Sequence, residues 1–341
     1  MPRTMRAAVA RAFGAPLTIE EVPVRAPGPG EALIRVLASG VCHTDLHAVS
    51  GDWPVKPRLP LIPGHEGVGR VVALGPGVAD LKEGDAVGAP WLHDACGRCE
   101  YCLTGWETLC AQQRNTGYGV DGGFAEYVTA PAAFLGRLPD GADMALMAPI
   151  LCAGVTTYKG LKETEARPGQ WVAISGIGGL GHVAVQYAKA MGLLVLAIDI
   201  SPAKLALATR LGADAVVDGS TPDAVATARR ITGGGAHGVL VTAVSNAAFG
   251  QAIALTRPRG TVALVGLPPG DFPTPIFDVV LKRLTIRGSI VGTRKDLEEA
   301  IAFAAAGKVV PQVETAPLDQ VNMVFDRMRA GTIDGRIALI P

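Results

Sequence analysis

Residues 171–181 read W-V-A-I-S-G-I-G-G-L-G. The first five form a short apolar run typical of a buried strand, and the glycines lead into an apolar helical stretch from Leu180 to Met191. In a strand–turn–helix of this kind, Gly176 permits the tight turn, Gly178 lets the backbone approach a pyrophosphate, and Gly181 lets helix and strand pack closely. This context indicates a dinucleotide-binding unit rather than an ordinary glycine turn.

Strands and helices continue to alternate over about residues 155–290. A strand is predicted at L-L-V-L-A-I-D (193–199), a helix from Pro202 to Leu211 and another near 246–256. Alternation of this kind predicts a doubly wound parallel sheet, that is, an α/β fold with a Rossmann domain.

Asp199 ends the strand that follows the glycine turn. Its offset from that turn is close to the roughly 20 residues expected for the carboxylate that binds the adenosine ribose hydroxyls. A negative charge there would repel a 2′-phosphate, so NAD is favoured over NADP, although Lys204 could soften the discrimination. The alternative is a helix cap, because S-P-A-K-L follows.

The regions flanking this part have a different pattern. From about residue 5 to 150, short β-like runs are separated by glycine and proline, which predicts a compact, mainly β, barrel-like domain. After it, helices are predicted from Lys295 to Ala306 and from Leu318 to Arg329, followed by a closing strand, G-R-I-A-L-I-P. That strand needs a sheet, so we expect one domain to comprise 1–153 and 293–341, with 154–292 inserted.

Length and charge restrict the class of protein. The 341 residues suit two domains, and the 31 basic residues balance the 31 acidic ones, so no electrostatic footprint for nucleic acid is present. The N-terminus lacks the apolar region of a signal peptide, and no apolar run approaches the roughly 20 residues of a membrane span. We expect a soluble, cytoplasmic protein whose partners are small molecules and sister subunits.

The chain has six cysteines, and in a reducing cytosol clustered cysteines are more often metal ligands than disulfides. One set lies in C-G-R-C-E-Y-C-L-T-G-W-E-T-L-C and consists of Cys96, Cys99, Cys102 and Cys110. Overlapping C-x-x-C steps with a returning fourth cysteine predict a closed, structural zinc site. An iron–sulfur cluster is the competing interpretation, but nothing else in the chain supports an electron carrier.

Three further motifs are V-C-H-T-D-L-H (41–47), P-G-H-E-G-V-G (63–69) and A-P-I-L-C-A-G (148–154). With them the chain resembles, essentially end to end, the zinc-dependent alcohol dehydrogenases of the medium-chain dehydrogenase/reductase superfamily, near their bacterial and yeast ethanol-active branch. G-H-E-G-V-G-R-V-V-A-L-G-P-G-V fits the zinc signature of that family. The resemblance implies a GroES-like catalytic domain beside the Rossmann domain, a catalytic zinc held by Cys42, His65 and Cys152, two zinc ions per chain, and a homotetramer.

The activity implied is reversible oxidation of short primary alcohols to aldehydes by NAD⁺, of the EC 1.1.1.1 type. Hydride would leave a zinc-bound alkoxide, with zinc as Lewis acid. Two thiolates offset the charge of the dication, so the alkoxide makes the ligand set net negative beside the positive nicotinamide.

The resemblance also assigns roles to single residues. Thr44 would bind the alcohol hydroxyl, His47 would end a proton relay through the nicotinamide ribose, Asp45 would orient His65, and Glu66 would lie behind the metal. The cofactor contacts implied are His43 and Arg336 at the pyrophosphate, Thr156 near the nicotinamide, Ser289 and Val291 at its carboxamide, and Gly179, Leu180 and Val265. Trp53, Trp91 and Leu267 match the walls of a narrow substrate pocket, although each could instead pack a core.

Three alternatives fit less well. Polyol dehydrogenases commonly place Glu where this chain has Cys152, and cinnamyl-type relatives prefer NADP and lack an acid such as Asp199. A non-catalytic NAD-binding or lens-crystallin-like protein could keep the fold. It would have no chemical need to retain all the implied catalytic residues: Cys42, Thr44, His47, His65 and Cys152.

Overall fold

The short apolar runs that precede Cys152 form strands, as their punctuation by glycine and proline predicts. The structure, a computed structural model, describes residues 2–341. The strands in this part are β1 (Thr4–Val9), β2 (Thr18–Pro23), β3 (Glu31–Val41), β4 (Gly67–Leu74), β5 (Ala86–Ala89), β6 (Leu92–Asp94), β7 (Arg114–Asn115), β8 (Tyr127–Pro131) and β9 (Gly136–Arg137). The α-helices are α1 (His43–Ser50), α2 (Glu100–Leu103) and α3 (Met144–Met147), with 3-10 turns at Glu107–Leu109, Ala132–Phe134 and Ala148–Leu151.

Strands then alternate with helices, as predicted. The elements are α4 (Ala153–Glu163), β10 (Trp171–Ser175), α5 (Gly181–Ala190), β11 (Leu194–Asp199), α6 (Pro202–Arg210), β12 (Ala215–Asp218), α7 (Ala224–Ile231), β13 (Ala236–Val241), α8 (Asn246–Leu255), β14 (Thr256–Leu264), α9 (Ile276–Lys282) and β15 (Thr285–Gly288). The C-terminal elements are α10 (Arg294–Ala305), β16 (Val313–Pro317), a 3-10 turn at Leu318–Gln320, α11 (Val321–Arg329) and β17 (Arg336–Ile340).

The chain divides into two compact units. The first comprises the chain up to Cys152, Thr293–Ala305 and Pro311–Pro341, and the second comprises Ala153–Gly292 and Ala306–Val310. The inclusion of Ala306–Val310 in the second unit is a detail that the sequence pattern does not indicate.

The first unit is built on a sheet in the order β16-β17-β3-β4-β5-β9, with β8 also paired to β3. The closing strand β17 runs antiparallel to β3, with Ala338 opposite Gly40. The prediction that the end of the chain adds a strand to the N-terminal sheet is therefore confirmed. Inward-facing Ile34, Val71 and Val87 belong to the apolar core of this sheet.

The second unit is built on six parallel strands in the order β12-β11-β10-β13-β14-β15. This is the doubly wound order, in which the direction of winding reverses between β10 and β13. Because parallel strands with helices on both faces are buried on both faces, they are apolar along their length, as Val239, Leu240 and Val241 illustrate. The predicted α/β class is confirmed.

Within residues 2–341, no single helix is both long and apolar enough to cross a bilayer. The bent helix pair Met144–Leu151 and Ala153–Glu163 reaches that length and apolar composition only when the two helices are taken together.

Arg294, the first residue of α10, ties the returning chain to the cysteine-rich segment. Its guanidinium donates to the buried carboxylate of Glu107 through Nε, at 2.7 Å, and through Nη2, and it lies over the ring of Phe134 with 4.6 Å to the centroid. Glu107 is only 6% exposed, so this pair is shielded from water on its acidic side.

Arg294→Ala leaves a buried carboxylate without its partner, and we expect it to lower the free energy of unfolding by about 1–3 kcal/mol. The matched control is Arg137→Ala, because Arg137 and Asp80 form a pair whose side chains are 57% and 64% exposed, a type worth about 0–1 kcal/mol. Urea unfolding curves of the two variants measure the difference. Equal losses would contradict the structural role given to Arg294.

Candidate active site

Cys42 ends the strand-to-helix turn between β3 and α1, and it is the N-cap residue of α1. Its backbone N–H donates to Asp45 Oδ2 at 2.9 Å, which satisfies one of the unpaired donors at the helix start. Thr44, Asp45 and His47 therefore lie on a helix.

Asp45 also accepts hydrogen bonds from the motif P-G-H-E-G-V-G (63–69). Its Oδ1 accepts the Nδ1–H of His65 at 2.8 Å and the backbone N–H of Gly64 at 3.1 Å. The side chains of Asp45 and His65 are each 1% exposed. With its proton on Nδ1, His65 presents the lone pair of Nε2, and that buried atom has no hydrogen-bond partner. A carboxylate–histidine pair with a free Nε2 is the arrangement that orients a metal ligand.

The remaining donors converge on the same point. One ligand atom each from Cys42, His65, Glu66 and Cys152 lies within 4.8 Å of the others, and the sulfurs of Cys42 and Cys152 are 4.0 Å apart. A tetrahedral site with Zn–S bonds of about 2.3 Å would separate two sulfurs by about 3.8 Å. The donor set and its spacing therefore fit zinc.

The two thiols have opposite pKa shifts. A hydrogen bond with Cys152 lowers the pKa of Cys42, and the same bond together with burial raises the pKa of Cys152. A bound dication would favour both as thiolates, because the thiolate is the ligand form of cysteine.

Glu66 and Arg336 form a buried ion pair behind these donors, through Glu66 Oε1 and Arg336 Nη2. Burial raises the pKa of Glu66 to about 6. Arg336 is the first residue of β17 and its side chain is only 5% exposed, so its charge lies in the interior. Its contact with a pyrophosphate stays a prediction.

The cysteine-rich segment brings its four sulfurs within 4.8 Å of one another. The sulfurs of Cys96 and Cys102 are 3.9 Å apart and those of Cys99 and Cys102 are 3.5 Å apart, again close to the spacing of a zinc tetrahedron. Backbone N–H groups of Arg98 and Cys99 lower the pKa of Cys96 to about 6. All four cysteines are free, and no disulfide competes with a metal among residues 2–341.

A row of aromatic rings connects His65 to His47. Trp91 meets His65 edge-on at 5.3 Å between ring centroids, Trp53 stacks on His47 at 5.1 Å, and Tyr118 lies 5.6 Å from both indoles. The Tyr118 hydroxyl donates to the carbonyl of Val55. Sequence reasoning did not identify Tyr118, since the glycines around it in T-G-Y-G-V indicate only a turn.

The second unit carries the glycine fingerprint. Gly176 has φ +95°, which only glycine adopts easily, and a Cβ on Gly181 would fall on the carbonyl oxygen of Gly176. A Cβ on Gly178 would meet nothing within 4 Å, so this position faces open space. Gly179 and Leu180 complete the turn into α5. The backbone N–H groups at the start of α5 suit an anionic phosphate.

The carboxylate of Asp199 accepts hydrogen bonds from this turn and from the start of α6. Its Oδ2 accepts the N–H of Ile177 at 2.6 Å and its Oδ1 accepts the N–H of Ser201 at 3.0 Å. The carboxylate thus lies at the end of β11 between the fingerprint turn and α6, which carries Lys204. It touches the N-cap residue of α6, so the ribose and helix-cap interpretations are geometrically compatible.

Other predicted cofactor residues of the second unit include two unpaired groups. The hydroxyls of Thr156, on α4, and Ser289, after β15, are buried and have no hydrogen-bond partner. Val265 follows β14 and is buried, and Val291 has φ +39°. Unpaired buried hydroxyls are costly, so both suit contacts with a bound polar ligand. Leu267 is 66% exposed in this unit.

Family models match most of both units. Residues 28–140 match the alcohol dehydrogenase GroES-like domain and residues 179–306 match the zinc-binding dehydrogenase domain. The chain is 63% identical over 336 residues to an alcohol dehydrogenase of Rhizobium meliloti (strain 1021), covering 98% of each chain. It belongs to the zinc-dependent alcohol dehydrogenases of the medium-chain dehydrogenase/reductase superfamily.

Solved structures agree with this family. The alcohol dehydrogenase of the archaeon Aeropyrum pernix has a TM-score of 0.90 at 36% identity, covering 98% of this chain and 100% of its own. An acetophenone reductase of Geotrichum candidum, solved in complex with NAD, has a TM-score of 0.89 at 32% identity, covering 100% and 98%. The resemblance seen in the sequence, the GroES-like and Rossmann architecture, and the prediction of an oxidoreductase are confirmed.

Metal content tests the two donor sets separately. We expect purified protein to hold about two zinc ions per chain. Cys152→Ser should retain the ion of the cysteine-rich segment and lose the other together with activity, whereas Cys102→Ser should lose the cysteine-rich ion. Mass spectrometry of metals and a colorimetric thiol titration measure the outcome. A Cys152→Ser variant with two ions and full activity would refute the catalytic assignment.

Proposed function

We propose that this chain reversibly oxidises short primary alcohols to aldehydes with NAD⁺. The observation that carries the proposal is the open donor set in the first unit, where Cys42, Cys152 and the unpaired Nε2 of His65 converge. Because Glu66 is paired with Arg336, the proposal counts Cys42, Cys152 and His65 as the three protein donors, which leave one position of a tetrahedron for substrate, whereas the four cysteines of the other set leave none. The glycine turn of the second unit supports the assignment of a dinucleotide as the cofactor.

In this proposal the first unit is the catalytic domain and the second binds NAD. Bound zinc supplies a Lewis acid that makes an alcohol more acidic, and NAD⁺ supplies the hydride acceptor. Thr44 accepts the proton of the substrate hydroxyl while it passes its own hydroxyl proton on towards His47, which delivers a proton to solvent. His47 suits this task because histidine titrates near neutrality. The alcohol thus loses a hydride from carbon and a proton from oxygen, giving aldehyde, NADH and a proton.

Glu66 and Asp45 act on the ligands rather than on substrate. Asp45 fixes the orientation of His65, and Glu66 places a buried carboxylate, paired with Arg336, among the metal donors. His43 and Arg336 at the pyrophosphate, Thr156 at the nicotinamide, and Ser289 with Val291 at its carboxamide complete the proposed contacts. The unpaired hydroxyls of Thr156 and Ser289 support these roles.

Asp199→Asn tests the choice between NAD and NADP. The change removes a charge that repels a 2′-phosphate and keeps an amide oxygen for the N–H of Ile177. We expect the ratio of kcat/KM for NAD to that for NADP to fall by at least about 10-fold. Asp218→Asn is the matched control, because Asp218 lies opposite Asp199 at the end of the neighbouring strand β12. An unchanged ratio in Asp199→Asn would remove Asp199 from ribose binding.

The size of the substrate is tested at Trp91. An indole against His65 leaves little room near the metal donors, so we propose that Trp91 and Trp53 restrict the site to small alcohols, with Leu267 as a third wall. Trp91→Ala should raise kcat/KM for 1-hexanol relative to ethanol by at least about 10-fold. Trp106→Ala, at a partly exposed tryptophan of the cysteine-rich segment, is the control. NADH absorbance follows both reactions, and an identical substrate profile would exclude Trp91 from the pocket.

We also propose a homotetramer in the cytoplasm. α9 exposes a row of large apolar side chains, Ile276, Phe277, Val280 and Leu281, and contiguous apolar surface of this kind is typical of subunit contacts. Six free cysteines, all placed in metal-donor sets, support a reducing compartment.

A further inference from the structure

Asp52 is not among the residues assigned to the proposed reaction, yet its carboxylate contacts His47, the end of the proposed relay. The chain leaves α1 through Gly51, which has φ +64° and whose N–H donates to the carbonyl of His47 at 2.9 Å. A Cβ on Gly51 would meet the ring of Phe13 at 2.6 Å, so glycine is required at this turn. The turn brings the carboxylate of Asp52 back to the helix, where its oxygens lie 2.9 and 3.1 Å from His47 Nδ1.

Trp53, the next residue, packs against the face of the same imidazole. The ring of Trp53 stacks on that of His47, with 21° between the planes. Trp53 is itself in contact with Tyr118, and it packs with Ala48 and Leu61 in a small apolar cluster. Two consecutive side chains thus restrain His47, one through a hydrogen bond at Nδ1 and one through a packed surface.

A carboxylate at Nδ1 decides which nitrogen carries the proton. An ionised carboxylate only accepts hydrogen bonds, so neutral His47 must carry its hydrogen on Nδ1 and present a lone pair at Nε2. His47 Nε2 has no hydrogen-bond partner within residues 2–341. When Nε2 takes a proton, the nearby negative charge stabilises the imidazolium.

We propose that Asp52 is a positioning residue of the alcohol dehydrogenase reaction, which holds His47 with Nε2 as the proton-accepting atom. The proposal rests on the proposed function, because it gives Asp52 a role only if His47 moves a proton during alcohol oxidation. In the motif G-D-W (51–53), Asp52 then holds His47 of the relay, and Trp53 both stacks on His47 and forms part of the proposed substrate wall.

Other titratable groups near this pair are few. His43 lies one turn before His47 on α1, where burial lowers its pKa and the charge of His47 acts in the same direction. Tyr118 lies beyond Trp53, where burial and the charge of Asp52 raise its pKa. Neither group supplies a negative charge to His47 near neutral pH. Removal of Asp52 should therefore alter how readily His47 binds a proton.

A double-mutant cycle with zinc-loaded enzyme, ethanol and NAD⁺ tests the proposal. Asp52→Ala should lower kcat for ethanol oxidation about 3–10-fold and should have no further effect in a His47→Ala background, because coupled residues are not additive. The acidic limb of the kcat/KM profile should move to lower pH. Asp52→Glu should recover part of the loss, and Asp80→Ala, at an exposed acid paired with Arg137, should behave as wild type.

A second measurement does not depend on turnover. A protonated imidazole quenches a stacked indole, so the fluorescence contributed by Trp53, taken as the difference from Trp53→Phe, should change with pH as His47 titrates. Asp52→Ala should move the midpoint of that change to lower pH, and zinc content should stay that of wild type.

The experimental outcomes distinguish the role of Asp52 from the alcohol dehydrogenase activity itself. Equal losses from Asp52→Ala in both backgrounds, or an unmoved fluorescence midpoint, would overturn the role of Asp52 while leaving the proposed function intact. A wild-type enzyme that shows no NAD-dependent oxidation of any short alcohol would overturn the proposed function itself.

Discussion

The carboxylate of Asp45 is the constraint on which the reaction centre depends. It is almost fully buried, and it accepts hydrogen bonds from the N–H of Cys42, the N–H of Gly64 and the Nδ1–H of His65. These donors belong to two segments, the start of α1 and the turn before β4. Because a buried charge is stable only when it is fully hydrogen-bonded, the carboxylate fixes both segments at once. The positions of Cys42 and His65, and with them the metal donors, follow from that requirement.

A second buried charge pair brings the end of the chain to the same place. Arg336 enters the interior because β17 pairs with β3, and its guanidinium meets Glu66. Gly40 on β3 has no room for a side chain, since a Cβ there would overlap the Glu66 carboxylate. The sheet, the ion pair and the glycine are therefore mutually dependent, and the interior behind the metal donors is complete only when the first and last segments of the chain have both folded.

The aromatic row joins functions that the sequence presents as separate. Trp91 lies against His65, Trp53 lies against His47, and Tyr118 contacts both indoles. The side chains proposed to limit the size of the substrate thus also contact His65, a proposed metal ligand, and His47, the end of the proposed relay. A substitution in this row will also change the contacts of His65 or His47, which is why a variant such as Trp91→Ala needs a control outside the row.

By itself the sequence determined the doubly wound unit, the strand-to-helix turn at Gly176–Gly181 and the four-cysteine set, because each depends on local spacing along the chain. The prediction that Cys42, His65 and Cys152 form one set of zinc ligands came from the family resemblance and not from their spacing, and the structure places their donor atoms together. Only the tertiary structure decided that Arg336 is buried against Glu66, that Tyr118 bridges the two tryptophans, and that Asp52 contacts His47. The first two contacts join residues far apart in sequence, and the third depends on the left-handed turn at Gly51. Hydrophobic periodicity does not record such contacts, because it reports which face of an element is buried and not which side chains meet there.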